Sequence, residues 1–339
     1  MYVIHFCNHA PKQSGMYEST KEQVKYERRE GLQSDIIDTA RRNPGDREDD
    51  GIVPVPWDEA KKADVWVLHH SIPDMVNKAR TKQKRVAVLH GPQEHMLIQE
   101  WSGQGSSFRL HLDILRKWNY DAVLPVNKHG YDILKQYDCG GILRYIPNSI
   151  DLERIEAVKH VWEYRSHPAI GSFDTFRIEK LPAPLVWSMP KIVERIPTAR
   201  LNLFSLSLKK IETFRDILYR SNNARLRKLC EVVQLEDINV KPFMKGIDIG
   251  FNSNFNGIAP RATMEMMAMG IPVVSYGGDY TKYHAKVFDL DSIADQIERC
   301  WDDLNAKGST LKEDTKKFAY EHYNRAKTVK QYVKLYNEL

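Results

Sequence analysis

Three places in the chain carry residue types and spacings suited to a charged, hydroxyl-bearing ligand. The first is Ile247 to Asp279, IDIGFNSNFNGIAPRATMEMMAMGIPVVSYGGD, where a polar loop with Asn252, Asn254, Asn256 and Gly257 runs into Pro260. Pro260 suits a first helical position, and Gly270 followed by Pro272 suits the stop. Free N–H groups and the dipole at such a helix start favour an anion, most obviously a phosphate. Glu265 is the only acid between Ile258 and Gly278. A carboxylate so close to an anion site suits ribose or sugar hydroxyls; its ordinary alternative is a solvated i,i+4 pair with Arg261, worth ~0.3 kcal/mol. The second place is the strand end RVAVLHG, which sets His90 and, further on, His95 where open α/β sheets meet ligands, although a strand-end histidine is as often a hydrogen-bonded structural residue. The third is the Ser14-Gly15 turn, which brings backbone N–H groups to the same sheet edge. Arg177 and Lys180 lie in a loop ahead of a helix.

The elements that must position these residues alternate between strand and helix. Strands are expected at Tyr2 to Cys7, Ser34 to Asp38, Ala63 to His69, Arg85 to His90 and Asp121 to Pro125, then at Ala169 to Phe173, Leu201 to Leu206, Asn239 to Phe243, Ile247 to Phe251 and Ile271 to Tyr276. Helices are expected at Tyr17 to Glu30, Ile72 to Ala79, Phe108 to Trp118 and Lys128 to Tyr137. In the second half they are expected at Pro184 to Ile196, Lys210 to Arg220, Ala224 to Cys230, Pro260 to Met269, Ile293 to Leu304, Leu311 to Tyr323 and Ala326 to Leu339. This order reads as two successive α/β domains, residues 1–155 and 165–318, joined through the polar stretch Leu152 to His167, with a closing helix at 319–339 that packs across both.

Composition narrows the function classes. The 339 residues suffice for two cores. No run of 18 apolar residues occurs and MYVIHFCNHA is too short for a signal sequence, so a cytoplasmic protein is expected. Cys7, Cys139, Cys230 and Cys300 lie far apart without ligand spacing, which argues against a zinc site or disulfide framework and for buried thiols. Fifty basic residues nearly balance 45 acidic ones. The basic surface therefore permits peripheral contact with anionic lipid or nucleic acid without demanding it, and Lys21, Lys25, Arg28 and Arg29 on the first helix are expected to form a solvated face. The GxGxxG fingerprint is absent, which removes the main support for a dinucleotide cofactor.

An ordered set of segments then resembles the GT-B glycosyltransferases, specifically the retaining family 4: SGMYES after the first strand, the LHG strand end, VLPVNKHGYDILKQY with RYIPNSIDLE, IGSF, and NGIAPRATMEMMAMGIPVVSYGG. The resemblance implies an α/β GT-B fold, two Rossmann-like domains facing each other across a cleft with a C-terminal helix crossing back. It also implies an enzyme that moves a sugar from a UDP-, GDP- or similar nucleotide sugar to an acceptor hydroxyl, without metal or other cofactor. Glu265 matches the second acid of the family's paired-glutamate motif and would bind the ribose. The first acid's place falls on Gly257, and Asn256 beside it would serve the sugar. Gly257, Ile258 and Ala259 would offer backbone N–H groups to the diphosphate, helped by Arg177 and Lys180, while Ser172 stands where the family has an arginine. His90 matches a ligand-facing histidine of the acceptor domain and Gly15 a loop approaching the phosphates. The acceptor would be a cell-envelope glycan or lipid, with hydroxylated DNA bases as an alternative; no stable protein partner is implied. An epimerase or phosphorylase, or a non-catalytic nucleotide-sugar-binding relative, are the other readings.

Overall fold

A computed structural model describes residues 1–7, 15–39, 52–69, 82–90, 120–159, 161–173, 182–205, 228–234, 240–255 and 258–339. They form two units, Met1–Asp151 with Tyr323–Leu339, and Leu152–His322. A parallel six-stranded sheet organises each unit.

In the first unit, β1 (Tyr2–Cys7), β2 (Gln33–Asp38), β3 (Val65–His69), β4 (Lys84–Leu89), β5 (Ala122–Pro125) and β6 (Ile142–Leu143) lie in the order β2-β1-β3-β4-β5-β6. β1 pairs with β2 on one side and β3 on the other, so the strand order reverses there and the carboxyl ends of β1 and β3 flank a ligand-binding position of open α/β sheets. Both sheet faces are covered. Tyr2, Ile4 and Phe6 pack with Trp66, Leu68 and Leu89 on one face, and Val3 packs with Val65, Val67, Val86 and Val88 on the other. Double burial is why these strands read as continuous apolar runs rather than alternating ones.

Helix α1 (Gly15–Arg29) keeps the expected solvated basic face only in part, at the exposed Arg28 and Arg29. Lys21 is buried, 3.1 Å from Glu18. Lys25 reaches Asp151 at 2.6 Å, and the exposed Arg28 pairs with Asp35. The segment around Asp151 lies on this side of α1 and takes its polar groups, with Glu22 accepting the Asp151 N–H and the Tyr26 hydroxyl donating to its carboxylate. Helix α2 (Lys128–Leu134) is capped by Asn127, whose side chain accepts the Gly130 N–H at 2.6 Å.

In the second unit, β7 (Ala169–Ser172), β8 (Arg200–Ser205), β9 (Cys230–Gln234), β10 (Ile249–Asn252), β11 (Val273–Ser275) and β12 (Tyr283–His284) lie in the order β12-β11-β10-β7-β8-β9. Counted within the unit this is 3-2-1-4-5-6, the dinucleotide-binding order, with the reversal between β7 and β10. Its helices are α3 (Leu152–Glu156), α4 (Pro182–Arg195), α5 (Lys241–Lys245), α6 (Arg261–Ala268), α7 (Leu290–Asn305) and α8 (Leu311–His322). Two expectations are corrected here. The strand expected at Asn239 to Phe243 is helix α5 instead; Pro242 fits a first helical turn and cannot donate to a sheet ladder. The helix expected to run through Cys230 gives way to β9, CEVVQ, which pairs with β8, because adjacent valines favour a strand. Gly270 ends α6 at φ +81°, a backbone conformation that glycine adopts without a Cβ clash.

The chain closes in the first unit with α9 (Arg325–Glu338). Tyr332, Leu335 and Tyr336 complete the apolar cluster over Val65, Val67 and Val88. Its start is fixed by a bridge between Ile150 and Asn324 and by the buried Arg325, whose guanidinium lies 2.6 Å from the Ser19 hydroxyl and 3.7 Å from Glu22. No described helix is long and apolar enough to cross a membrane. All four cysteines are buried, as expected.

Candidate functional site

The second unit's site is built at the carboxyl ends of β7 and β10. Asn252, the last residue of β10, is buried and shapes the loop beyond it: its Nδ2 donates to the Ile258 carbonyl at 2.9 Å and to the Tyr280 hydroxyl, and its Oδ1 accepts the Asn254 N–H at 3.1 Å. Half-buried Ile258 and Ala259 follow, and Pro260 enters α6 extended, at ψ 167°, its own side chain making no capping hydrogen bond. Pro260 is thus the N-cap rather than the first helical residue. The Asn254 Oδ1 is buried without a hydrogen-bond partner among the described residues, an acceptor left open beside the same loop.

Glu265 sits in the second turn of α6, 4% exposed. Its Oε1 takes the Arg261 Nε at 3.0 Å and lies 4.0 Å from the Lys241 Nζ. The i,i+4 pair therefore forms, but it is buried rather than solvated. The reason is that α6 is enclosed nearly all round, with Thr263, Met264, Met266, Met267 and Ala268 all buried. A buried carboxylate answered by two cations leaves the amino end of α6 net positive, which suits an anion. No described residue bonds Oε2, so the carboxylate keeps acceptor capacity for hydroxyl donors. Lys241 was hidden from sequence reading by its misplacement in a strand; the Lys-Pro pair opening a helix was the available signal. Ser172 ends β7 buried. Arg177, Lys180, Asn256 and Gly257 lie outside the described residues, as do His95 and the helices expected at 72–79, 108–118 and 210–220.

In the first unit Gly15 is the exposed first residue of α1. His90 directly follows β4, half-buried, and its Nε2 lies 2.7 Å from the His69 Nδ1. The His69 Nε2 lies 3.0 Å from the His5 Nδ1, and the His5 Nε2 lies 2.8 Å from a Glu27 oxygen. Ser34, Gln23 and Tyr336 also donate to the Glu27 carboxylate, at 2.6, 2.9 and 3.0 Å. Burial raises the Glu27 pKa, but the charge and hydrogen bond of His5 with the Ser34 and Gln23 bonds outweigh it, and the carboxyl stays below its ordinary range. Burial, then His90, His5 and Arg325, drive the His69 pKa well below that of a free imidazole. His5, His69 and Glu27 escaped sequence reading because the register that brings them together is set by β1–β3 pairing and the way α1 lies on the sheet.

No protein-family model matches the chain, and no curated protein sequence does. Among solved structures, sucrose-phosphate synthase from Thermosynechococcus elongatus superposes with a TM-score of 0.77 at 14% identity, covering 99% of this chain and 98% of that one. HepE from Anabaena, in complex with UDP and glucose, gives 0.72 at 13% identity over 100% of both chains. A glycosyltransferase from Rickettsia africae gives 0.71 at 14% identity over 99% and 98%. The fold is that of the GT-B glycosyltransferases. At the second sheet's reversal point lie the start of α6 and, behind it, the buried Glu265. Its first-unit counterpart is a row of histidines that ends at the carboxyl edge of the sheet.

Proposed function

We propose that this chain is a glycosyltransferase of the family 4 kind that moves a sugar from a nucleoside-diphosphate sugar to an acceptor hydroxyl, with retention and without a metal ion. The observation that carries the reading is the amino end of α6, whose N-cap Pro260 supplies no side-chain hydrogen bond, at the reversal of a 3-2-1-4-5-6 sheet, with the buried Glu265 one turn further on. HepE, of the same fold, has been solved with UDP-glucose as well as UDP.

In this reading the diphosphate rests against the N–H groups of Gly257, Ile258 and Ala259 and the cations Arg177 and Lys180, Glu265 accepts hydrogen bonds from the ribose hydroxyls, and Asn256 holds the donor sugar. On the first unit, His90 meets the acceptor. Breaking the anomeric C–O bond sends its electron pair to the leaving diphosphate, and charge growing there is stabilised by groups already aimed at it. The acceptor in this reading is a cell-envelope glycan or lipid, with a hydroxylated DNA base as the alternative; a mild net charge of +5 fits either.

Calorimetric titration with a panel of nucleotide sugars, without divalent metal, tests the donor. Saturable binding to the wild type that is weakened at least tenfold in Glu265→Gln supports the reading; a ribose contact through a buried carboxylate accounts for roughly 1.5–3 kcal/mol. Equal affinity in both proteins contradicts the assignment of Glu265.

A further inference from the structure

Three histidines and one glutamate form an unbroken line of hydrogen bonds from the inside of the first unit to the edge of its sheet. Glu27, His5 and His69 are wholly buried, and His90 at the end of the line is half-buried. The two N···N distances, 3.0 and 2.7 Å, and the 2.8 Å contact to Glu27 are all hydrogen-bond lengths. Only two proton arrangements satisfy every link with His69 and His90 both neutral. An ionised carboxylate can only accept, so the His5 Nε2 always carries a proton. If His5 is neutral, its Nδ1 accepts from the His69 Nε2, whose Nδ1 then accepts from the His90 Nε2, and a neutral His90 carries no proton on Nδ1. If His5 is doubly protonated, every N–H between rings is reversed: His5 Nδ1 donates to His69, His69 Nδ1 donates to His90, and the His90 Nδ1 carries a proton.

We propose that Glu27, His5 and His69 are a proton relay that lets His90 exchange a proton with a ligand at Nδ1 while His90 itself stays neutral, the charge being held at His5 beside Glu27. The two arrangements differ by one proton. Taken up at the His90 Nδ1, it releases the His90 Nε2 proton to the His69 Nδ1 and the His69 Nε2 proton to the His5 Nδ1, and no ring other than His5 ends charged. Surroundings fit this placement of charge. His69, which is neutral in both arrangements, faces burial, both neighbouring histidines and Arg325, all of which oppose a charge on it. Glu27 faces His5, Ser34, Gln23 and Tyr336 as donors, with the Arg325 guanidinium held near Glu22 and Tyr332 close by on α9. Tyr336, whose pKa burial and Glu27 raise well above the ordinary phenol, remains a donor throughout. In a transferase the use is direct: as the acceptor oxygen bonds the anomeric carbon, its proton passes to the His90 Nδ1 and the diphosphate leaves with the electron pair of the broken bond. That use rests on the glycosyl-transfer reading; the relay itself does not.

The test is the full chain labelled with ¹⁵N-histidine, read by long-range ¹H–¹⁵N correlation between pH 5 and 9 and assigned with single His→Gln substitutions. The relay predicts that at high pH His5, His69 and His90 all carry their proton on Nε2. It predicts that on acidification His5 becomes doubly protonated as the His69 and His90 protons move to Nδ1. A doubly protonated His90 beside a singly protonated His5 overturns it, as does a fixed tautomer of His69. Two variants that keep hydrogen-bonding side chains in the line, Glu27→Gln and His69→Gln, serve as controls, with their folding checked by thermal melting. In folded protein of either kind, His90 should titrate to the doubly protonated form, and transfer should lose on the order of tenfold or more in kcat with the donor KM within about twofold. Unchanged His90 titration in both variants also overturns the relay. Absence of binding to every nucleotide sugar defeats the transfer reading alone and leaves the tautomer result to decide the relay.

Discussion

At the residue scale the molecule keeps its strongest electrostatics buried, which sets how single substitutions behave. Glu27 is an acid whose pKa is depressed in the folded protein, so its stabilisation is complete above the unfolded value of about 4.3 and is lost as pH falls through the lower folded value. Glu27→Gln should therefore cost roughly 1–3 kcal/mol in urea unfolding at pH 7, and the gap from wild type should narrow as pH drops below about 4. A gap that persists unchanged at pH 3 contradicts an ionised Glu27. The thiols give a second check. Burial pushes Cys7 and Cys230 up to about 12, so the native protein should resist a thiolate-selective reagent at pH 8 and react fully only when unfolded. That Glu265 lies on a helix beyond a polar loop was legible in the sequence, because Pro260 and Gly270 bracket that helix. The burial of Glu265 was not, since solvation depends on Lys241 and on the packing around α6, which local spacing does not encode.

At the element scale, close approaches decide which positions tolerate a side chain. A Cβ on Gly246, just after α5, would lie 1.9 Å from the Trp162 carbonyl oxygen, a backbone atom that cannot turn aside. A Cβ on Gly31, after α1, meets nothing within 4 Å but must adopt φ +86°. Gly246→Ala should then lower stability by about 3 kcal/mol or more, and Gly31→Ala by only about 1 kcal/mol, as measured by denaturant midpoints. Equal costs contradict this packing. Strands with doubly buried apolar runs were read correctly to within a few residues, β1 to the residue, because burial on both faces leaves a plain signature. The failures share a cause: Lys241–Lys245 and Cys230–Gln234 are five residues each, too short for periodicity to outvote their neighbours. The charged side of α1 misled in the opposite sense, since nothing within the helix announces that Asp35 and Asp151 will meet it.

At the scale of the whole molecule, the chain is two sheet-centred units of which the first is finished by its last helix. Leu335 is fully buried beneath that helix against the valines of β3 and β4. Leu335→Ala should cost about 2–5 kcal/mol, and the loss should appear in amide exchange of first-unit strands ahead of second-unit strands. Uniform loss across both units contradicts the assignment of α9 to the first. The fold class was readable from alternating elements and the resemblance of a few segments, whereas the strand orders and the histidine line come from long-range pairing that no window of sequence contains. The most direct measurement of the central claim is metal-free calorimetry of the wild-type chain with UDP-glucose and a panel of other nucleoside-diphosphate sugars. One-to-one binding of at least one of them, competed by its nucleoside diphosphate, is the predicted result; no heat and no competition with any member of the panel would contradict the account.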